Sequence, residues 1–369
     1  MYRAIIGTLA LVAMTSLDAR AAGELTFYVF PRENMDAMDT AFLKPFTQAT
    51  GVKVNVSGYD GVNPRFVQML KSGKGKWDIL QAESPMLEQG CKEGWFEKID
   101  SSKLTSKADL VPGTVSECGV GIFEWSQAMV YNADKVSGKP SSWADFWDVK
   151  KFPGKRGLRR SAKYTLEIAL LADGVAPADV YKVLSTRQGV DRAFRKLEQL
   201  KPEVVWWQAA AQPALLLEAN RIVMSSSYTL WIDEEQKRGK NLKTVWNGSL
   251  YDFDHWAFRK GTPALADAYK FVNFATQPES QKAFATELAY GPTNKKTLSL
   301  LDARVGSQLP TAQANMSGSL KVDAAFWLRN GKELEHRFSD WAPQLDASAD
   351  EQEEEHHKKP GAKAAPHAH

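Results

Sequence analysis

Several polar and charged residues lie where an α/β protein places its ligand-binding side chains. In open α/β sheets, ligands bind beyond the carboxyl ends of the strands. Strands are predicted over residues 25–30, 77–80 and 221–224, with a further extended segment over 250–258. The candidate ligand contacts are Pro31, Arg32 and Glu33 after the first strand, Glu83 and Ser84 after the second, Ser226, Ser227 and Tyr228 after the third, and Asp252, Asp254 and His255 within the extended segment.

Asp254 lies in an aromatic run that suits a small cation. The run reads Tyr251-Asp252-Phe253-Asp254-His255-Trp256. A carboxylate supplies charge, and the rings add cation–π attraction in a partly dry site. The alternative is an acid exposed on an edge strand. Trp206 and Trp207 are each assigned either to the core or to the cleft.

Ser84 and Ser227 are predicted to open helices. The free amide groups and the dipole at a helix N-terminus favour an anionic ligand group. The alternative for Ser84 is that it only caps its helix.

No catalytic constellation is evident in the sequence. It lacks G-x-S-x-G, H-E-x-x-H and a phosphate-binding glycine loop, and it offers no metal set or cofactor motif. Only His255 and His336 lie in the part expected to fold, and neither has a nucleophile beside it in sequence. A triad assembled in space stays open, so the alternative function is a secreted enzyme acting on a small amine or amide.

Alternating strands and helices must position these residues. Helices are predicted over 35–49, ending at Gly51, and over 64–72, ending at Gly73, with a strand over 52–56 between them. Such repeats build a doubly wound α/β sheet. A second unit follows residues 123–131, with helices from Ser142, over 164–173, 178–184 and 189–200, after residue 228 as far as Gly239, and from Thr262.

The two ends of the chain differ from the rest. Residues 1–21 combine Arg3, an apolar run and an A-x-A pattern at Ala19-Arg20-Ala21, which is typical of a secretory signal peptide. No Cys follows the cleavage site and no later apolar run could span a membrane, so the mature protein is expected to be free in its compartment outside the cytoplasm. Residues 346–369 are predicted to be a disordered tail, whose four histidines could alternatively hold a metal ion weakly.

Composition excludes nucleic acid as a partner. Hydrophobic residues make up 43% of the chain, enough for a substantial core. Removing residues 1–21, with two arginines and one aspartate, lowers the formal charge only from +3 to +2. A chain so close to charge balance lacks the positive field that nucleic-acid binding needs.

The two cysteines, Cys91 and Cys118, are predicted to form a disulfide in an exported chain, two isolated thiols being the alternative.

An ordered set of segments resembles the periplasmic solute-binding proteins of spermidine/putrescine-type ABC transporters, including their 4-aminobutyrate-binding branch. The resemblance covers roughly residues 24–345. The segments are Leu25-Thr26-Phe27-Tyr28-Val29-Phe30, Trp77-Asp78-Ile79, Glu93-Gly94-Trp95-Phe96-Glu97-Lys98-Ile99-Asp100, Val130-Tyr131-Asn132, Ser142-Trp143-Ala144-Asp145-Phe146-Trp147-Asp148, Phe152-Pro153-Gly154-Lys155 and Phe253-Asp254-His255-Trp256-Ala257-Phe258.

The resemblance implies a type II periplasmic binding protein fold with two lobes, each a sheet flanked by helices. Crossing strands near 126–131 and 252–257 would form the hinge. Lobe 1 would comprise 22–128 and 256–300, and lobe 2 would comprise 129–255 and 301–345. The protein would act as a monomer that delivers its ligand to an ABC permease.

The resemblance also assigns ligand contacts. Asp254 matches the acid that binds a ligand amine. The aromatic-polar segment Phe30-Pro31-Arg32-Glu33 matches one that lines the pocket. The polar residue that the family carries after the strand over 77–80 falls at Glu83 or Ser84.

One departure from the polyamine pattern changes the expected ligand. Polyamine binders carry a second acidic pair at the start of a second-lobe helix, where this chain reads Arg159-Arg160-Ser161-Ala162-Lys163-Tyr164. A second ammonium would meet positive charge there, whereas a carboxylate would be bound by Arg160 and Tyr164. We therefore expect a ligand such as 4-aminobutyrate, with a receptor for a phosphonate or metal chelate as the alternative within the same fold.

Overall fold

A computed structural model describes residues 23–30, 33–59, 64–73 and 75–342. The predicted signal peptide, Arg32 and the predicted tail lie outside the described residues. In the part of the chain that the structure describes, none of the helices has the length and hydrophobicity needed to cross a membrane.

The described strands form one ten-stranded mixed sheet. Eight strands follow the order β2-β1-β3-β8-β4-β7-β5-β6, while β10 pairs with β8 and β9 with β4. The strands are β1 Glu24–Val29, β2 Lys53–Gly58, β3 Ile79–Glu83, β4 Gly119–Asn132, β5 Arg156–Arg159, β6 Val204–Trp207, β7 Met224–Tyr228, β8 Leu242–Phe258, β9 Gly291–Pro292 and β10 Leu320–Lys321.

Helices connect the strands and pack around the sheet. They are α1 Glu33–Met38, α2 Lys44–Thr50, α3 Pro64–Lys71, α4 Ser84–Lys92, α5 Trp143–Trp147, α6 Ala162–Ala172, α7 Val180–Leu184, α8 Arg187–Leu200, α9 Gln212–Glu218, α10 Thr229–Lys237, α11 Leu265–Ala275, α12 Pro278–Glu287, α13 Ala303–Gln308, α14 Gln313–Met316 and α15 Ala324–Trp341.

The long antiparallel strands β4 and β8 pass through two hydrophobic cores. Ile122 and Phe123 of β4 pack with Trp256 and Phe258 of β8 in a core that also contains β1, the α2 region, α11 and α12. Met129 and Tyr131 pack in a second core built largely from α6, α8 and α15, together with Leu250 of β8. The predicted crossing strands near 126–131 and 252–257 are therefore parts of β4 and β8.

Several predicted boundaries shift by a few residues. The helix expected over 35–49 is interrupted by a π-helical segment, Asp39–Leu43, but it ends at Gly51, which has the left-handed φ of 74° that favours glycine. The strand expected over 77–80 begins at Ile79 and runs to Glu83.

The prediction of a strand over 221–224 is wrong, because the strand in this part of the chain is β7, Met224–Tyr228. The sequence predicts that Ser225, Ser226 and Ser227 connect this strand to a helix. They are instead fully buried and pair with β4. Small hydroxyl side chains fit there because β7 runs close to β5, where the Ser225 hydroxyl donates to the Gly157 carbonyl at 3.1 Å.

The predicted disulfide between Cys91 and Cys118 is confirmed. It joins the last turn of α4 to the residue that precedes β4. The sulfurs pack in a small apolar cluster that includes Leu87, Trp95 and Phe96. The bridge therefore secures the α4 end against the beginning of a crossing strand.

Candidate functional site

A cavity of about 230 Å³ opens where β4 and β8 pass between the two cores. Three of its lining side chains are ionisable acids or bases: Glu83, Asp254 and Arg159. Polar groups from Asn34, Ser126, Gln208 and Thr229 also line it. Its aromatic wall is formed by Phe30, Trp125, Tyr164, Tyr228, Trp231 and Tyr290.

Two carboxylates lie side by side in this cavity. Glu83 ends β3 and is the direct antiparallel partner of Asp254 in β8. Glu83 is exposed, whereas Asp254 retains only 4% of its accessible surface. Burial, and then the charge of Glu83, raise the pKa of Asp254 well above its usual range. A ligand ammonium would stabilise the ionised Asp254, because its positive charge offsets both the loss of hydration and the repulsion from Glu83.

Gln81 supports Asp254 from outside the cavity. Its side-chain amide Nε2 donates to Asp254 Oδ2 at 2.6 Å. The same amide accepts, through Oε1, the backbone N–H of Phe30 at 3.0 Å. The acid and one aromatic wall residue are thus joined by a single buried side chain.

Arg159 supplies the positive charge from another part of the sheet. It is the last residue of β5, and its Nη1 donates to the Tyr228 hydroxyl at 3.1 Å. The guanidinium lies 5.4 Å from the centre of the Tyr164 ring and 6.0 Å from that of Trp207. These rings and the phenol hold the guanidinium in place at the cavity wall.

The backbone bends sharply where Tyr164 enters the cavity. Tyr164 has a φ of 77°, a left-handed value that is rare for a residue with a side chain. The carboxylate of Glu335 in α15 holds the preceding turn, accepting from the Ser161 hydroxyl at 2.7 Å and from the N–H groups of Ala162 and Lys163 at 2.9 and 3.0 Å. These bonds compensate a strained conformation that presents the Tyr164 ring to Arg159.

Two acids of the long strands β4 and β8, Glu124 and Asp252, are buried outside the cavity lining. Asp252 accepts from the Ser84 hydroxyl at 2.9 Å, and burial raises its pKa to about 6. Burial, and then the charge of Asp252, raise the pKa of Glu124 to about 8. Neither Glu124 carboxyl oxygen has a hydrogen-bond partner among the described residues. Glu124 is therefore largely uncharged at neutral pH and adds little to the negative field of the cavity.

The structure brings five of the predicted ligand residues to the cavity: Phe30, Glu83, Tyr164, Tyr228 and Asp254. Glu33 begins α1, and its side chain lies outside the described part of the structure. Ser84 does begin α4, as predicted, but it does not line the cavity. Its hydroxyl donates a hydrogen bond to the Asp252 carboxylate.

The other predicted residues lie outside the cavity lining. Trp207 is buried behind Arg159. Arg160 donates its backbone N–H to the Trp207 carbonyl at 2.7 Å, and its neighbour Arg159 takes the place in the wall. Ser227 does not open a helix, because it lies within β7 and α10 begins at Thr229. His255 is buried, and burial followed by the charge of Lys321 lowers its pKa to about 3, so it is neutral.

Sequence reasoning missed several lining residues. Arg159 satisfies the strand-end rule, but the four residues of β5, Arg156–Arg159, contain a single large apolar side chain and predict no strand. Trp125 and Ser126 lie within a crossing strand whose register was unknown. Tyr290 and Trp231 follow no local pattern that distinguishes them from core aromatics.

Comparisons with known proteins place the chain among binding proteins. The family model described as "Bacterial extracellular solute-binding protein" matches residues 41–305. The chain is 50% identical over 318 residues to the gamma-aminobutyric acid-binding protein of Pseudomonas aeruginosa, covering 86% of this chain and 90% of that protein. It is 24% identical over 334 residues to the spermidine/putrescine-binding periplasmic protein of Escherichia coli, with coverages of 86% and 91%.

Solved structures give the same result for the fold. An ABC transporter substrate-binding protein from Bradyrhizobium japonicum USDA 110 superposes with a TM-score of 0.78 at 31% identity, covering 87% of this chain and all of that one. The Atu4243-GABA receptor superposes with a TM-score of 0.77 at 28% identity, covering 88% of this chain and 99% of that one. The predicted fold, that of type II periplasmic binding proteins, is confirmed.

Proposed function

The chain belongs to the family of bacterial extracellular solute-binding proteins, and from this premise we propose that it captures 4-aminobutyrate or a similar ω-amino acid. The predicted resemblance to solute-binding proteins is confirmed by the family match, as is the prediction of a binding protein in place of an enzyme. The ligand, its contacts and the delivery step are proposals.

The observation that carries the proposal is the charge arrangement of the cavity. Asp254 and Glu83 lie on β8 and β3, whereas Arg159 ends β5, three strands away from β8 in the sheet order. Neighbouring strands are about 4.8 Å apart, so roughly 14 Å separates the two backbones, and the long arginine side chain spans part of this distance. A short ligand with an ammonium at one end and a carboxylate at the other would match both charges.

A diamine fits this arrangement less well. One ammonium could bind Asp254, but the second would approach Arg159, which already donates to the Tyr228 hydroxyl. Like charges in a poorly hydrated site repel strongly. A carboxylate at that place instead receives charge-assisted hydrogen bonds from the guanidinium.

The relatives support the same class of ligand. A curated relative at 50% identity is a gamma-aminobutyric acid-binding protein, and a solved structure with TM-score 0.77 is that of a GABA receptor. We further propose that the protein works in the periplasm, consistent with the signal-peptide pattern in residues 1–21, and delivers its ligand to an ABC permease.

Calorimetric titration of the mature protein with 4-aminobutyrate, 5-aminopentanoate, putrescine and spermidine tests the proposal. We expect saturable binding of the amino acids and much weaker binding of the amines. Tight putrescine binding with no response to either amino acid would contradict it.

Asp254→Asn tests the amine anchor. The neutral amide removes the charge that binds the ammonium, so affinity should fall at least about tenfold. Asp252→Asn is the matched control, since Asp252 is a buried acid of the same strand outside the cavity lining. Equal losses in both variants would show that Asp254 is not the anchor.

A further inference from the structure

Gln81 connects three parts of the ligand-binding region without lining the cavity. It is fully buried in β3. Its side chain binds the Asp254 carboxylate and the Phe30 backbone, and its own carbonyl accepts a hydrogen bond from the Tyr59 hydroxyl. The amide orientation is determined by chemistry, because Phe30 N–H can only donate and an ionised Asp254 can only accept.

The hydrogen bond from Gln81 is the only one that the Asp254 carboxylate receives from the described residues. It occupies Oδ2 and leaves Oδ1 for a ligand. Three stacked aromatic rings continue the support, since Phe30 stacks on Tyr59 with ring centroids 4.9 Å apart and Tyr59 stacks on Phe66 with centroids 4.5 Å apart. The Gln81 side chain therefore fixes the position of the Asp254 carboxylate relative to Phe30, the first ring of the aromatic wall.

We propose that Gln81 is a positioning residue that holds the Asp254 carboxylate in its ligand-ready orientation and supports its negative charge. This inference rests on the proposed function, because it assumes that Asp254 binds the ligand ammonium. Gln81 thereby strengthens the preference of Asp254 for a cationic group without itself lining the cavity.

The charges around Asp254 explain why such support is needed. Burial is the largest influence and raises the pKa of Asp254, followed by the charge of Glu83. Gln81 opposes them through its hydrogen bond, Asp252 adds to them, and Lys163 in α6 opposes them. Burial raises the pKa values of the Tyr59 and Tyr228 phenols, and the charge of this carboxylate raises both further.

The sign of the pH dependence follows from these influences. Only the ionised carboxylate attracts the ammonium, and the ammonium itself stays charged below about pH 10. Affinity therefore falls as the pH decreases through the raised pKa of Asp254. Removing the Gln81 donor raises that pKa further, so the loss of affinity should begin at a higher pH.

The test compares Gln81→Met with wild type across pH 5–9. Methionine keeps the volume but donates no hydrogen bond, so 4-aminobutyrate should bind about tenfold more weakly near neutral pH, with the pH midpoint raised by about one unit. Gln281→Met is the matched control, because Gln281 is also buried and bridges backbone groups, at Ile122, Ala275 and Thr293, away from the cavity. It should change stability without moving the midpoint.

A second measurement needs neither a variant nor a ligand. In the wild-type protein, carbon-detected NMR should follow the Asp254 carboxyl, and the Gln81 side-chain N–H signals should titrate with the same midpoint. Unchanged Gln81 signals through that midpoint, or a Gln81→Met midpoint equal to wild type, would overturn the proposal. Failure of wild type to bind 4-aminobutyrate would instead reject the proposed function, and the ligand-free titration would still decide the role of Gln81.

Discussion

Arg159 and Arg160 are adjacent residues of the same type that occupy different places in the molecule. Successive side chains of a strand point to opposite faces of the sheet. At the end of β5 this alternation brings Arg159 into the cavity wall, beside Tyr164 and Tyr228. The carboxylate-binding role that sequence analysis gave to Arg160 is therefore proposed for Arg159.

Replacing Arg159 by Gln should weaken 4-aminobutyrate binding at least about tenfold, because a charge-assisted bond to the ligand carboxylate is lost. Arg160→Gln provides the matched control and should stay within about twofold, as expected for a change of a charge outside the cavity. Calorimetry on both variants measures the difference. A larger loss in Arg160→Gln than in Arg159→Gln would return the carboxylate contact to Arg160.

At the scale of elements, a few long-range bonds hold the site-bearing segments. The end of β3 leads directly into α4, so the strand that carries Glu83 and the helix that begins with Ser84 are one continuous unit. The disulfide connects the other end of α4 to the residue before β4. The bridge joins two cysteines that are 27 positions apart in the sequence.

The double variant Cys91→Ser, Cys118→Ser should be less stable by about 3–4 kcal/mol, because an unfolded chain without the bridge has more conformational entropy. Denaturant unfolding of the variant and of the oxidised wild type measures the difference. Ligand affinity should change little, since neither sulfur lines the cavity. Unfolding free energies that agree within error would contradict a stabilising role for the bridge.

At the scale of the whole molecule, β4 and β8 contribute side chains to both cores. Met129 of β4 and Leu250 of β8 pack in one core, and Ile122 of β4 and Trp256 of β8 pack in the other. The division of the chain into two lobes stays a prediction. Two cores connected through crossing strands can rotate about those strands. The cavity lies at this connection, so we propose that ligand binding closes it.

Saturating 4-aminobutyrate should reduce the radius of gyration of the mature protein, as measured by small-angle scattering. Closure brings Arg159 and the acids onto one ligand, which compensates the loss of solvation. The Asp254→Asn variant is the control and should need a higher ligand concentration than wild type to reach the same decrease, because it binds the ligand more weakly. Identical curves for free and saturated wild type would rule out closure.

The periodic parts of the chain were predictable because their signals are local. Alternating apolar residues and helix-ending glycines identified β1, the α2 region and α8 to within a few residues. The strand at β7 was not predictable in this way, because its serines resemble a connecting loop. They are stable in a strand only because β4 and β5 cover both of its edges.

The sequence by itself determined the family, the α/β elements and the acid that is proposed to bind the ammonium. These follow from local periodicity, from the order of segments and from one carboxylate among aromatic residues. Only the tertiary structure decided that Arg159 lines the cavity, that Gln81 holds Asp254 and that Tyr290 completes the wall. The physical reason is that strand register and side-chain direction depend on pairing between residues far apart in the chain, which no local pattern encodes.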